Sequence, residues 1–494
     1  MLFNSLEFIF IFLPISFFVY FLLNKIHKPV VGKTWLVFAS LFFYSWWNIS
    51  YLPLIIISMV TNYIIGQELG KEKSNNLKLV RFFNKKTILV VGITFNLGLL
   101  GFFKYANFFL ENINALGADF DLPNILLPLA ISFFTFQQIA YLVDSYREEM
   151  REYNFLNYAL FVTFFPQLIA GPIVHHKEVM PQFASSSNLI KSYHNIGLGL
   201  FIFSMGLFKK VAIADLFASW ATLGFDGSTE LGFYDAWVTS LSYTFQLYFD
   251  FSGYTDMAIG AALLFNIRLP INFNSPYKAT DIQDFWRRWH MTLSRFLRDY
   301  LYIPLGGNRL GSSRTYINLF LTFLLGGLWH GASWMFIIWG AMHGLALVIH
   351  RFWNRLGFVM PAVLGWFLTF NFVNITWVFF RAEDINSALR VLRGMFDFRS
   401  IHEYGFDNIS TAKMAWSGGV FDNYYGVIPS GVIANLIPII FILIAFVIIS
   451  KSNTLQIASK GLTNIKIVCS AFLFCIAVYI TTLASSSVFL YFNF

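Results

Sequence analysis

The sequence predicts an all-helical integral membrane protein that crosses the bilayer many times. Of its 494 residues, 57% are hydrophobic and only 12% are charged, whereas about a quarter of the residues in a soluble protein are charged. The apolar residues form runs suited to α-helices that cross a hydrocarbon core of roughly 30 Å. The net charge of +8 does not indicate nucleic-acid binding, because the basic residues lie in short loops between these runs, as the positive-inside rule expects.

The apolar runs predict roughly eleven transmembrane helices with additional re-entrant segments. The runs lie at residues 6–23, 35–47, 52–65, 87–110, 125–143, 155–170, 196–214, 233–265, 316–329, 334–350, 363–380, 432–449 and 467–483. The run 155–170 contains Pro166 and is followed by Gly171 and Pro172, which predicts a broken or re-entrant helix. No soluble domain separates the runs, so we expect a single polytopic membrane domain over residues 1–494.

The charges of the loops predict which helix ends face the cytoplasm. Residues 71–86 hold six Lys or Arg and one Glu, and Lys25, Lys28 and Lys33 follow the first helix. Both loops are therefore expected in the cytoplasm, and the two passes between them place the N-terminus outside. The loop 111–121 carries acids and no base, so it is expected outside.

Two late segments are also predicted to face outward. Residues 383–431 are the only stretch large enough for an extracytoplasmic cap. Lys451, Lys460 and Lys466 precede the last apolar run and are expected in the cytoplasm. The last helix therefore delivers the C-terminal tail, residues 484–494, to the outer face.

Ionisable residues concentrate between residues 243 and 343, which predicts the functional site there, because such groups are costly at membrane depth. His330 ends an apolar run and lies between Gly327 and Gly331, small residues that let backbone or substrate approach closely. Its imidazole could accept a proton from a hydroxyl or thiol near neutral pH. A structural hydrogen bond is the alternative role for His330 and also for His290.

Residues 280–300 predict one amphipathic helix that opens with a capping box of Thr280 and Gln283. Its apolar stripe consists of Phe285, Trp289, Leu293, Phe296 and Tyr300. The other side carries the arginines Arg287, Arg288, Arg295 and Arg298. The helix could lie on anionic lipid, or the arginines could bind a phosphate-bearing donor, because guanidinium pairs with phosphate bidentately.

Six further residues are candidates for lining a tunnel. They are Asp250, Ser252, Tyr254 and Asp256, which interrupt an apolar helix, and Trp329 and Ser333, which lie next to or near His330. For the four helix residues the alternative is hydrogen bonding to neighbouring helices. No metal site is predicted, because His343 and His350 share a helical face but no third ligand recurs near them.

Three long motifs resemble the membrane-bound O-acyltransferase (MBOAT) family. They are QLYFDFSGYTDMAIGAALLFNI, SPYKATDIQDFWRRWHMTLSRFLRDYLYIPLGG and LLGGLWHGASWMFIIWGAMHG, and they are most similar to the bacterial branch of alginate O-acetylases and peptidoglycan O-acetyltransferase membrane subunits. The resemblance extends to about residue 393. It implies a ring of tilted helices around a central tunnel, with His330 as the catalytic histidine and His290 as a second one. His330 could act there as a general base or as a transient acyl carrier.

The resemblance also implies a reaction. A cytoplasmic thioester, expected to be acetyl-CoA, enters from the arginine side, and no cofactor is permanently bound. The acetyl group leaves outward to a periplasmic SGNH-type O-acetyltransferase partner, which places the chain in the inner membrane. Peptidoglycan is the favoured acceptor, and an alginate-like exopolysaccharide is the alternative.

The last six residues, FLYFNF, resemble the C-terminal FxYFxF motif of the small membrane partner of the D-alanyl transfer system. This resemblance implies that Tyr491 relays the acyl group. The alternative is an aromatic belt at the membrane interface.

Two other functions are compatible with the residues. The chain could acylate a lysophospholipid or another lipid within the bilayer, which predicts long-chain acyl groups and no periplasmic partner. It could also be a scaffold or flippase for a lipid-linked sugar, although that function gives His330 and the small residues around it no role.

Overall fold

The computed structural model describes residues 1–70, 84–123, 125–149, 154–227, 229–401, 432–483 and 489–490. Every regular element assigned in these residues is a helix, which confirms the all-α prediction. In chain order the α-helices are α1 (Leu13–Lys25), α2 (Pro29–Ser45), α3 (Leu52–Gly70), α4 (Lys85–Leu100), α5 (Ala106–Ala115), α6 (Ile131–Tyr146), α7 (Phe155–Thr163), α8 (Phe165–Leu168), α9 (His176–Ala184), α10 (Tyr193–Phe208), α11 (Asp215–Asp226), α12 (Phe233–Leu264), α13 (Ile282–Arg288), α14 (Met291–Leu297), α15 (Ser312–His330), α16 (Trp334–Arg355), α17 (Ala362–Arg381), α18 (Ile385–Met395), α19 (Val432–Ser450), α20 (Thr454–Ser459) and α21 (Asn464–Leu483).

Seven helical stretches among the described residues are long and apolar enough to cross a membrane. They are Phe8–Lys25, Ile49–Gly70, Lys85–Ala115, Tyr193–Asp226, Trp334–Arg355, Ala362–Arg381 and Asn464–Leu483. The chain is therefore a multi-pass membrane protein. The total of roughly eleven spans and the ring around a tunnel stay predictions.

Short π-helical turns join several α-helices into longer ones. Gly101–Tyr105 connects α4 to α5, Lys209–Ala214 connects α10 to α11, and Arg298–Tyr302 follows α14. The apolar run 196–214 predicts a helix that ends near residue 214. In the structure this helix continues through α11. Lys210 consequently lies in the middle of a long helix.

The contacts between residues divide the chain into two compact units. Unit 1 contains Met1–Ser204 and Tyr254–Ile271, and unit 2 contains Met205–Gly253 and Asn272–Leu490. The helices α10 and α12 each contribute to both units.

In unit 1, the predicted runs 35–47 and 52–65 correspond to α2 and α3, which are joined by a short turn where Asn48 accepts a hydrogen bond from the Ser50 N–H. The predicted break in 155–170 is confirmed, because Phe164 has a ψ of 109° between α7 and α8. Helix α6 begins at Ile131 rather than at residue 125. Pro128 disfavours helical backbone in the residue before it, and Ala130 has a φ of 61°.

In unit 2, the indole rings of Trp289, Trp339 and Trp377 form a buried aromatic core. Trp377 lies 5.0 Å from Trp289 and 5.7 Å from Trp339, measured between ring centroids. Helix α18 begins with Asp384 accepting a hydrogen bond from the Ser387 N–H at 2.7 Å. Residues 402–431 lie outside the described residues, so the predicted cap over 383–431 stays a prediction.

Candidate active site

Two glycines bring α15 and α16 into close contact and position His330. A Cβ atom added to Gly327 would lie 2.3 Å from the carbonyl oxygen of Phe336 and 2.9 Å from the Cα of Gly340. Only glycine leaves room for the two backbones at this distance. Helix α15 ends at His330, and Gly331 continues in extended backbone. His330 therefore lies at the tip of a tightly packed helical pair.

The imidazole of His330 lies in a pocket of aromatic rings. The side chains of Trp329, Trp339 and Phe380 lie 5.0, 5.1 and 5.2 Å from it between ring centroids, all at steep angles. His330 is only 3% exposed. The indole Nε1–H of Trp339 has no hydrogen-bond partner among the described residues. Buried donors almost always have a partner, so this N–H is a candidate to bind a substrate oxygen.

His343 is also buried, but its two ring nitrogens are used structurally. Nδ1 accepts a hydrogen bond from the Trp286 indole at 3.2 Å. Nε2 lies 3.0 Å from the hydroxyl of Thr376, which donates its own hydrogen to the Val373 carbonyl. Nε2 must therefore carry the proton of a neutral imidazole. We assign His343 to the structural core.

The predicted amphipathic helix over residues 280–300 is wrong in two respects. Asp281, not Thr280, caps the helix by accepting a hydrogen bond from the Asp284 N–H. The helix is also broken, because Trp289 is extended and His290 adopts left-handed backbone with a φ of 42°. The stripe is confirmed for Phe285, Trp289, Leu293 and Phe296, which are all buried, whereas Tyr300 is only partly buried.

Backbone hydrogen bonds from an earlier segment hold this break in place. The Asn274 N–H donates to the Arg288 carbonyl at 2.9 Å, and the Met291 N–H donates to the Asn272 carbonyl at 3.0 Å. His290 is thus located at a junction of two short helices rather than within one.

The hydrogen bonds around His290 define its tautomer. The Oδ1 atom of Asn272 accepts from the backbone N–H of Thr292 at 3.3 Å, which identifies this atom as the amide oxygen. The same oxygen lies 3.1 Å from Nδ1 of His290, so Nδ1 must donate. Burial lowers the pKa of His290, which lies outside the seven candidate spans, to about 3. The ring is therefore neutral, and Nε2 carries the lone pair.

The four predicted donor-binding arginines differ in their surroundings. Arg287 and Arg298 are exposed, and Arg288 and Arg295 are partly buried. Arg288 Nε lies 2.9 Å from both carboxylate oxygens of Asp284, and Arg298 binds Asp299 at 2.7 Å. Arg288 and Arg298 therefore already have acidic partners, with which a phosphate would compete. Donor binding stays a prediction for all four.

The six tunnel candidates do not form one group. Asp250 and Ser252 belong to unit 2, whereas Tyr254 and Asp256 belong to unit 1; all four are buried. Ser333 caps α16 by accepting a hydrogen bond from the Met335 N–H at 3.2 Å. Trp329 is buried beside His330. A tunnel-lining role stays a prediction for each of them.

Two site residues were not predicted from the sequence, and one predicted residue lies outside the described residues. Trp339 carries no distinct signal as a tryptophan in an apolar helix, and Lys210 lies near the end of the apolar run 196–214, where a lysine is ordinary. Tyr491 is not among the described residues. No group of three or more His, Cys, Asp or Glu side chains that could hold a metal ion occurs in the residues that the structure describes.

The multi-pass helical fold and the buried histidine among aromatic rings are features expected of an integral membrane enzyme. Comparison with known families identifies which enzyme family this is. The family model for membrane-bound O-acyltransferases matches residues 31–383, which is well over half of the chain. The chain belongs to the MBOAT family and is an O-acyltransferase.

Three relatives show which acyltransferases the chain is similar to. The chain is 49% identical to the peptidoglycan O-acetyltransferase of Helicobacter pylori, over 100% of this chain and 98% of the relative. It is 43% identical to the probable alginate O-acetylase AlgI of Pseudomonas aeruginosa, over 81% of this chain and 75% of the relative. It is 28% identical to the teichoic acid D-alanyltransferase of Bacillus subtilis, over 53% of this chain and 71% of the relative.

Proposed function

We propose that this protein moves acetyl groups from a cytoplasmic thioester, acetyl-CoA, across the inner membrane for the O-acetylation of peptidoglycan. The observation that carries the proposal is the 49% identity to a peptidoglycan O-acetyltransferase, which covers both chains almost completely. The similarity to the alginate O-acetylase covers less of each chain, so an alginate-like polysaccharide is the second candidate acceptor.

His330 acts as the general base in this proposal. An acceptor hydroxyl gives its proton to the imidazole while its oxygen bonds to the thioester carbonyl carbon. The carbon–sulfur bond then breaks, and the thiolate of coenzyme A takes the proton from the imidazolium. The coenzyme carries the activated group, and the protein supplies orientation and electrostatics.

Trp339 supplies the hydrogen bond that the reacting carbonyl needs. Its indole ring lies 5.1 Å from that of His330, and its Nε1–H has no partner among the described residues. A fixed donor in a site that excludes water stabilises the negative charge that develops on a carbonyl oxygen during acyl transfer. No reorganisation is required, because the helix packing already holds the ring.

The arginine segment binds the donor. The diphosphate of a coenzyme requires cationic groups that form paired hydrogen bonds, which guanidinium provides. Arg287 and Arg298 are exposed and meet the donor first. Arg288 and Arg295 lie deeper on the same segment.

Tyr491 is the acceptor hydroxyl of the first transfer. Its phenol oxygen takes the acetyl group, and a serine of a periplasmic SGNH-type partner then attacks the tyrosyl ester, which restores the phenol. The partner finally transfers the acetyl group to a sugar hydroxyl. Each of these last two transfers exchanges one ester for another, the first of them downhill because a phenol is a better leaving group than an alcohol, and neither needs a further cofactor.

Expression with a periplasmic partner in cells that lack their own polysaccharide O-acetylation tests this function. The expected result is ester-linked acetate on muropeptides, lost with Tyr491→Phe and retained with Tyr479→Phe, which changes an exposed tyrosine of α21. Acetylation of alginate but not of muropeptides would favour the second acceptor. Full acetylation with Tyr491→Phe would exclude the relay.

A further inference from the structure

A cluster of three charges, of which two are buried, lies in unit 2. The ammonium of Lys210 lies 2.8 Å from Oδ1 of Asp215 and 2.7 Å from Oδ1 of Asp250. Lys210 is 3% exposed and Asp250 1% exposed. Even a paired buried charge carries a desolvation cost of several kcal/mol, so such a pair is weak support for a purely stabilising role. The cluster is therefore expected to have a role other than stabilising the fold.

Close helix packing brings these charges together. A Cβ atom added to Gly253 would lie 2.8 Å from the carbonyl oxygen of Gly206 and 3.1 Å from the backbone nitrogen of Lys210. The π-helical turn Lys209–Ala214 and α12 therefore touch through their backbones. Asp250 lies almost one helical turn before Gly253, which places its carboxylate beside Lys210.

The second oxygen of Asp250 holds the C-terminal tail. Oδ2 accepts a hydrogen bond of 3.0 Å from the backbone N–H of Leu490, 240 positions later in the chain. Hydrogen bonds from an N–H to a carboxylate are roughly twice as strong as those between neutral groups. The bond is to the backbone, so it fixes the position of the chain whichever side chain residue 490 carries.

The neighbouring residue connects this contact to the candidate active site. Phe489 is 2% exposed, and its ring lies 5.7 Å from that of Phe251, the residue after Asp250. The ring of Phe251 lies in turn 4.8 Å from the imidazole of His290, at 90° to it. The ring of Phe251 thus lies between Phe489 and His290.

We propose that Asp250, held in place by Lys210 and Asp215, positions the C-terminal tail for acyl transfer. This proposal rests on the proposed function. Asp250 is a positioning residue, because it contacts the backbone of the tail and not the reacting atoms. Lys210 pairs with the Asp250 carboxylate and orients it, and Asp215 fixes Lys210.

The test measures tail release and acetyl transfer separately in the full-length protein, reconstituted in liposomes with the periplasmic partner and its muropeptide acceptor. Leu490→Cys is introduced together with Cys469→Ser and Cys475→Ser, because both native cysteines are exposed. We expect Asp250→Leu to raise the rate of maleimide labelling at residue 490 at least tenfold. Its kcat for acetyl transfer should fall at least tenfold, with the KM for acetyl-CoA unchanged within twofold.

Two further variants sharpen the test. Asp226→Asn is the matched control, because it removes a more exposed carboxylate of the same unit that pairs with Arg381 and not with Lys210; labelling should stay within twofold. Asp250→Asn keeps an oxygen acceptor without the charge and should raise labelling at least threefold. This variant decides the question if Asp250→Leu does not assemble.

Specific outcomes overturn the proposal. Labelling that is unchanged in the Asp250 variants would show that Asp250 does not hold the tail. A released tail with wild-type kcat would show that holding it does not serve transfer. If the wild-type protein transfers no acetyl group, the proposed function fails, and the labelling rates still report independently on whether Asp250 holds the tail.

Discussion

At the scale of single residues, the three buried histidines in the described part of unit 2 are distinguished by the groups around their rings. His343 is bonded through both nitrogens to Trp286 and Thr376. His290 donates Nδ1–H to Asn272, and His330 lies among aromatic rings. The apolar context by itself does not separate these roles; in the sequence, the motifs that resemble the MBOAT family single out His330 and His290. The hydrogen-bond partners that distinguish His290 and His343 lie 18 to 57 positions away.

The structural role of His343 can be tested by its removal. His343→Leu fills the space but leaves the indole N–H of Trp286 without its acceptor. A buried donor without a partner costs about 1–3 kcal/mol. Thermal unfolding in detergent should therefore show a lower midpoint, whereas His350→Leu, a change at a more exposed position of the same helix, should have a smaller effect. Equal midpoints for His343→Leu and wild type would contradict the assignment.

The donor role of Trp339 predicts a kinetic defect. Trp339→Phe keeps an aromatic ring beside His330 but removes the N–H. Loss of one such donor lowers kcat by about 10²–10³ in other acyl-transfer sites, and we expect a similar loss with little change in the KM for acetyl-CoA. Trp334→Phe, at an exposed position of the same helix, is the control. Wild-type kcat in Trp339→Phe would rule out a hydrogen bond to the reacting carbonyl.

At the scale of helices, the contact between α15 and α16 determines where His330 lies. Gly327→Ala would place a Cβ atom 2.3 Å from a backbone oxygen, so the helices must separate. Overpacking of this kind typically costs about 1–3 kcal/mol. We expect a lower unfolding midpoint and at least a tenfold loss of acetyl transfer.

Gly326 provides the control for this helix contact. A Cβ atom there would meet only Cδ1 of Leu297, at 3.2 Å, and that side chain can move. Gly326→Ala should therefore retain most of the activity. If the two alanine variants behave alike, the close approach of the helices does not matter for the site.

At the scale of helices, the sequence predicts some helix bounds well and misses others. Helices α15, α16 and α17 were predicted within about five residues of their ends, because long apolar runs in a membrane protein leave few alternatives. The break at His290 was not predictable, because the apolar stripe continues through it with helical spacing. The break depends on backbone hydrogen bonds with Asn272 and Asn274. These residues are too far away in the sequence for a local pattern to predict the bonds. The Lys210–Asp250 pair was missed for a similar reason, since its members are 40 positions apart.

At the scale of the whole molecule, the loop charges predict the sidedness of the membrane insertion. Alkaline phosphatase, which is active only outside the cytoplasm, should be active when fused after Gly117, in the acidic loop. It should be inactive when fused after Gly461, beside the lysines that precede α21. Fluorescent-protein fusions at the same two positions should give the opposite pattern. Activity after Gly461 would invert the predicted orientation and with it the path of the acetyl group.

The transfer of an acetyl group at His330 is the central claim, and covalent labelling tests it most directly. Purified protein in liposomes is supplied with radiolabelled acetyl-CoA, and acid-stable label on the polypeptide is measured for wild type, His330→Gln and Tyr491→Phe. We expect label on the wild-type protein and none above background on either variant, with all three equally well folded. Wild-type labelling of His330→Gln would contradict the account.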